Sequence, residues 1–131
     1  MKLVNKKNVV YINLAIGSIF IICIATRLLF LSSFNWFDLF MLGIGFYYLS
    51  KFYYLKTHPY LLLTNTHFVR FCILKTTRIP INSLKGYHIH KSGDFVLIGD
   101  TSKIWISSNS VNGKNLNDFK IYLSKMGINK E

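Results

Sequence analysis

Nineteen consecutive residues, Asn8 to Thr26, carry no charge, and Leu39 to Ser50 add twelve more. A hydrocarbon layer of about 30 Å needs roughly 20 helical residues to cross it. Val9–Phe30 and Trp36–Tyr54 meet that length, and their charges (Arg27, Asp38, Lys51) sit near the ends rather than the middle. The link Leu31-Ser32-Ser33-Phe34-Asn35 leaves room only for a tight antiparallel turn. Residues 1–56 therefore read as a two-helix transmembrane hairpin. The competing reading, a cleaved leader, lacks an A-x-A site and is followed at once by a second apolar run.

Orientation follows from Lys and Arg beside the span ends. Lys2, Lys6, Lys7, Lys51 and Lys56 flank one side, and only Arg27 belongs to the connecting side. This asymmetry predicts an integral inner-membrane protein with both termini in the cytoplasm. Arg27, Trp36, Lys51, Tyr53, Tyr54 and Lys56 are the expected interface anchors, aromatic rings and long cations being suited to the headgroup layer.

After Lys56 the pattern changes to short Val/Ile/Phe/Tyr/Thr runs cut by turn residues. Six strands are expected: Tyr60–Thr64, His67–Leu74, Thr77–Ile81, Lys85–Lys91, Asp94–Ile98 and Lys103–Ile106. Links of two to four residues make neighbours antiparallel, and Pro80, lacking an amide donor, belongs at an edge or strand end. Alternation assigns Val69, Phe71, Ile73, Tyr87 and Ile89 inward, with Arg70, Cys72, His88 and His90 outward. Leu116, Phe119, Leu123 and Met126 then recur at helical spacing over about 115–126, with Asn115 as N-cap and Gly127 as stop. Residues 57–131 thus read as a small α+β or all-β domain of six or seven antiparallel strands closed by an amphipathic helix.

That order, together with Leu62-Leu63-Thr64 ending a first strand, a hairpin around His67–Ile73, and Arg78-Ile79-Pro80-Ile81 followed by Leu84, resembles the bacterial membrane-anchored pleckstrin-homology-like (PH-like) class. The resemblance implies seven strands and a cytoplasmic domain, and it transfers no catalytic residue. The seventh strand would be hidden in one of the six runs or in Ser107–Ser110.

Chemistry is sparse. The back half holds four carboxylates, Asp94, Asp100, Asp118 and Glu131, none paired as acid/base hydrolysis usually requires. His88 and His90 share a strand face, and His58, His67 and Cys72 would have to gather with them to make a metal centre. The glycines form no phosphate loop, and Cys23 and Cys72 form no disulfide framework. No catalytic, cofactor-binding or metal residue is assigned, and no cofactor. Net charge is +11. Residues 1–56 contribute six basic groups and one acid, residues 57–131 ten and four. An evenly basic chain with an apolar front half suits a membrane surface better than nucleic acid. Arg78, Lys85, His88, His90 and Lys91 are the candidate anion or partner site. The expected function is a non-enzymatic binding or scaffolding module engaging membrane lipids or a protein or peptide partner. The alternative is an immunity factor or an accessory subunit of a membrane complex.

Overall fold

A computed structural model describes residues 1–31 and 33–128. Ser32, in the expected turn, and the terminal Glu131 lie outside the described residues. The chain divides into two compact units, Lys7–Thr57 and a second made of Met1–Lys6 with His58 onward.

The first unit is a pair of helices, α1 (Lys7–Leu31) and α2 (Trp36–Thr57). Tyr11 meets Phe52 at 6.2 Å between ring centroids, Gly17 meets Leu49, and Arg27 meets Asp38, so the helices run antiparallel. Two glycines set their separation. A Cβ on Gly17 would lie 2.9 Å from the Leu49 side chain and 3.2 Å from the Gly45 carbonyl, while one on Gly45 would lie 2.9 Å from Ile21. Small residues let helix backbones approach closely where packing drives association.

The start of α2 is built by Asn35. Its Oδ1 accepts from the amides of Phe37 (3.1 Å) and Asp38 (3.2 Å), and Asp38 Oδ2 accepts from the Asn35 amide in return at 3.0 Å. This reciprocal cap satisfies the donors that a helix start leaves unpaired. Most other side chains of the pair face outward although apolar: Leu29 is 79% exposed, Phe30 85% and Trp36 86%.

By length and composition α1 alone is apolar enough to cross a membrane among the described residues. The expectation of two equally clear spans is therefore met only in part. Asp38, Ser50, Lys51 and the tyrosines 47, 48, 53 and 54 make α2 less apolar than α1.

The second unit holds two antiparallel sheets. One has the order β1 (Lys2–Leu3), β2 (Leu61–Leu63), β3 (His67–Arg70), β4 (Thr77–Pro80). The other has the order β5 (Leu84–Ile89), β6 (Phe95–Gly99), β7 (Lys103–Ile106). A 3-10 turn, Ile81–Ser83, carries the chain between them, and α3 (Gly113–Lys125) follows.

The seventh strand corrects the expected boundary at residue 56. It lies neither in one of the six runs nor at Ser107–Ser110, but at the N-terminus ahead of α1. Lys2 pairs with Leu62 and Leu3 with Leu61. The Tyr60 amide donates to Leu3 O (2.8 Å), the Leu63 amide to Met1 O (2.9 Å) and the Lys6 amide to Ser110 O (2.7 Å). The buried Leu3 joins the core, so residues 1–6 belong with the strands they precede by some fifty positions.

The inward set of β3 differs in part from expectation: Val69 is buried as expected, but Phe68 is the residue that enters the shared core. Phe68 is fully buried and meets Phe119 edge-on at 6.1 Å, while Ile73 is exposed and lies beyond the strand, which ends at Arg70. Cys72 also lies beyond it, not within a strand. Phe68 and Ile79 face the core from one sheet, and Phe95, Leu97, Ile104 and Ile106 face it from the other. The two sheets come together at Gly99, where a Cβ would stand 2.8 Å from Ile79 Cγ2.

Leu116, Phe119 and Leu123 of α3 complete this core, with Met126 half-buried. The helix starts one turn earlier than expected, because Asn112 rather than Asn115 caps it, accepting from the Lys114 amide at 3.1 Å. Gly127 does end it. At φ +71° its amide donates to Ser124 O and the Ile128 amide to Leu123 O, the bond pair of a Schellman stop.

Candidate functional site

Arg78-Ile79-Pro80 lies on β4 and Lys85–Ile89 on β5, each an edge strand of its sheet, so the basic segment crosses from one sheet to the other. The five candidate residues do not converge. Arg78 faces outward from the β1–β4 sheet. His88 faces outward from the β5–β7 sheet, opposite Val96 and Trp105 in register. Lys85 pairs with Asp100 at 3.1 Å, both more than half exposed, and stands at the far end of β5 from His90 and Lys91. Lys85 and Ile89 are four strand steps, about 13 Å, apart, and Lys91 lies in the turn beyond. One ligand headgroup cannot bridge that distance.

Trp105 was missed from sequence. It is 51% exposed, and its ring lies 6.3 Å from that of His90. The only sequence signal was its place at an outward position of the alternating run Lys103–Ile106. At the neighbouring β5–β6 turn, Asp94 accepts from the Ser108 amide (2.9 Å), Ser108 Oγ (3.1 Å) and Ser92 Oγ (3.0 Å). The Ser108 amide first, then the Ser92 hydroxyl, hold its carboxyl below the usual 3.8, with His90 adding a smaller attraction. Asp94 is thus a tie between two turns.

A second grouping emerges from strand register. Lys2, Leu62, Val69 and Arg78 pair in turn across all four strands of the first sheet and point away from the core. Leu62, Thr64, His67, Val69, Phe71 and Arg78 line a concavity of about 300 Å³ there. The His58 ring packs on Phe71 at 5.7 Å. The other carboxylates of this unit lie elsewhere among the described residues: Asp94 at the β5–β6 turn, Asp100 after β6, and Asp118 on α3.

Of the expected interface anchors, Trp36 and Tyr53 are widely exposed. Lys51 and Lys56 lie over Tyr47 and Phe52 at 6.0 and 5.7 Å, and Tyr54 falls in the same last turns of α2. Arg27 differs from expectation, as it is ion-paired to Asp38 at 2.9 Å rather than extended alone. No group of three or more His, Cys, Asp or Glu able to hold a metal occurs among the described residues. Comparison with family models, curated proteins and solved structures gives no match.

Proposed function

We propose that the protein is a non-enzymatic, membrane-anchored binding module of the inner membrane, in which both helices span the bilayer and a PH-like β unit works at the cytoplasmic face. One observation carries this reading. β1 precedes α1 and β2 follows α2, yet the two strands pair. A strand pair cannot straddle a bilayer, so the chain must return after Thr57 to the side it left at Lys7. Either both helices cross or neither does.

The outward apolar surface of both helices favours crossing, since a pair with no polar face would leave a large apolar area in water. A cleaved leader would also remove Leu3 from the core. Five lysines near the outer ends of the pair against Arg27 near the connection favour both termini in the cytoplasm. Seven strands in a four-plus-three arrangement with a terminal helix support the PH-like assignment.

Cysteine labelling from outside tests the topology. A Ser33→Cys variant should react and a Lys125→Cys variant should not. The opposite pattern, or reaction of both in sealed cells, defeats the reading.

A second reading, an immunity factor or accessory subunit, draws on α2. A Cβ on Gly43 would meet nothing, and Leu39, Phe40, Ile44, Tyr47 and Tyr48 surround this dip. A partner helix would fit there. If Gly43→Leu abolished function while sparing lipid association, this second reading would take precedence.

A further inference from the structure

The first sheet carries a basic–apolar–apolar–basic row, Lys2–Leu62–Val69–Arg78, across its outer side, with the two cations exposed, Leu62 half-buried and Val69 buried at 8% exposure. Strands are spaced about 4.8 Å apart, so the two cations stand about 14 Å apart with the apolar pair between them. Phe71 and His67 extend the row on either side, and both rim the concavity with Arg78. Lys2 and Arg78 are exposed, and among the described residues no carboxylate answers them on this face. A shallow face with half-buried apolar groups (Leu62, Phe71) and exposed cationic margins matches a bilayer interface, where acyl and glycerol groups lie beneath anionic phosphates.

Chain length supplies a second argument. Lys2 is five residues from Lys7, where α1 starts, and Leu62 is five residues from Thr57, where α2 ends. At no more than about 3.5 Å per residue, neither can stray more than about 18 Å from a helix end. Lys2, held that close to an anionic leaflet, lies within one or two Debye lengths of it, with Arg78 about 14 Å further along the same sheet. By contrast, no such short tether reaches Trp105 or Lys91.

We infer that the outer face of the β1–β4 sheet, with exposed Lys2 and Arg78 flanking the half-buried Leu62 and Phe71, docks on the anionic lipid surface beside the anchor. This rests on the membrane-anchored reading and names its ligand. The face lies down as a patch, and it needs no headgroup-specific pocket. Lys85 and Lys91 take no part.

The test uses the full chain with Cys23→Ser, Cys72→Ser and Leu62→Cys, carrying a nitrobenzoxadiazole dye at position 62. The protein is reconstituted into phosphatidylcholine vesicles with or without phosphatidylglycerol. Alkaline carbonate extraction is run in parallel. Retention with the dye shielded from iodide only when phosphatidylglycerol is present, and shielding lost in high salt, supports the inference. Adding Lys2→Gln and Arg78→Gln should then lower the docking equilibrium constant about 30-fold, from two charges at about 1 kcal/mol each near an anionic surface. Both sites are exposed, so circular dichroism should be unchanged. Retention with the dye equally accessible on both vesicles overturns the docking face and leaves the anchor intact. Shielding by an added polyglutamate peptide but not by phosphatidylglycerol overturns it in favour of a protein partner. Release by carbonate removes the anchor and the docking face together.

Discussion

Phe119 fixes α3 to the sheets through its edge-on contact with Phe68 and its near-complete burial. Phe119→Ala should cost about 3–5 kcal/mol in denaturant unfolding of the β unit, the range for emptying a well-packed aromatic site. Ile121, on the opposite face of the same helix and more than half exposed, should tolerate alanine with little change. Asp94 gives a pH signature. Its folded-state pKa lies below 3.8, so its stabilising contribution is complete above about pH 4 and is lost as pH falls through the folded value. An Asp94→Asn variant should therefore show a flatter acid limb in a stability–pH profile than the parent. Equal acid limbs would mean that the ionised form of Asp94 adds nothing to the hold between the two turns. Arg27 and Asp38 form a different kind of pair, since Asp38 is buried and Arg27 about one-third exposed. Removing Arg27 strands a buried carboxylate. Arg27→Ala should lower helix-pair stability by about 1–3 kcal/mol, read as a lower thermal midpoint in detergent.

At the scale of elements, Gly17 and Gly45 determine how close α1 and α2 lie. Gly45→Leu should force them apart and raise proteolysis at the connecting turn, while Gly43→Leu, with open space around it, should not. How much was legible in advance depends on what each element needs for recognition. The six later strands were visible because each is long enough to show a two-residue period and is bounded by turn residues. β1 was not, because two residues carry no period and Lys2 already had a sufficient explanation in the charge asymmetry. The phase of β3 was ambiguous because Phe68, Val69 and Phe71 are all apolar, and only Phe119 on the opposing helix decides which one faces in. The candidate site suffered the same limit. A linear stretch from Arg78 to Lys91 looks contiguous, but the 3-10 turn at Ile81–Ser83 distributes it over two sheets. The Lys2–Arg78 row, 76 positions apart, exists only through register. No spacing rule could have found it.

For the whole molecule, the pairing of Leu3 with Leu61 makes the helix pair an insertion within the β unit rather than a leader ahead of it. The order of synthesis then acquires a meaning. Residues 1–6 emerge from the ribosome long before their strand partner exists, and they must wait unpaired while α1 and α2 are made. The β unit can close only after the chain has turned back. On the proposed membrane topology, a chain with its start and its remainder on opposite sides could not complete its first sheet and would leave Leu61 and Phe68 open to proteases. Antiparallel packing of α1 on α2 also brings Lys6 and His58 back within reach of each other, replacing a floppy loop of about fifty residues by a short gap and sparing much of its closure entropy. If the pair crosses a membrane as proposed, assembly of the sheet would double as a check on its insertion.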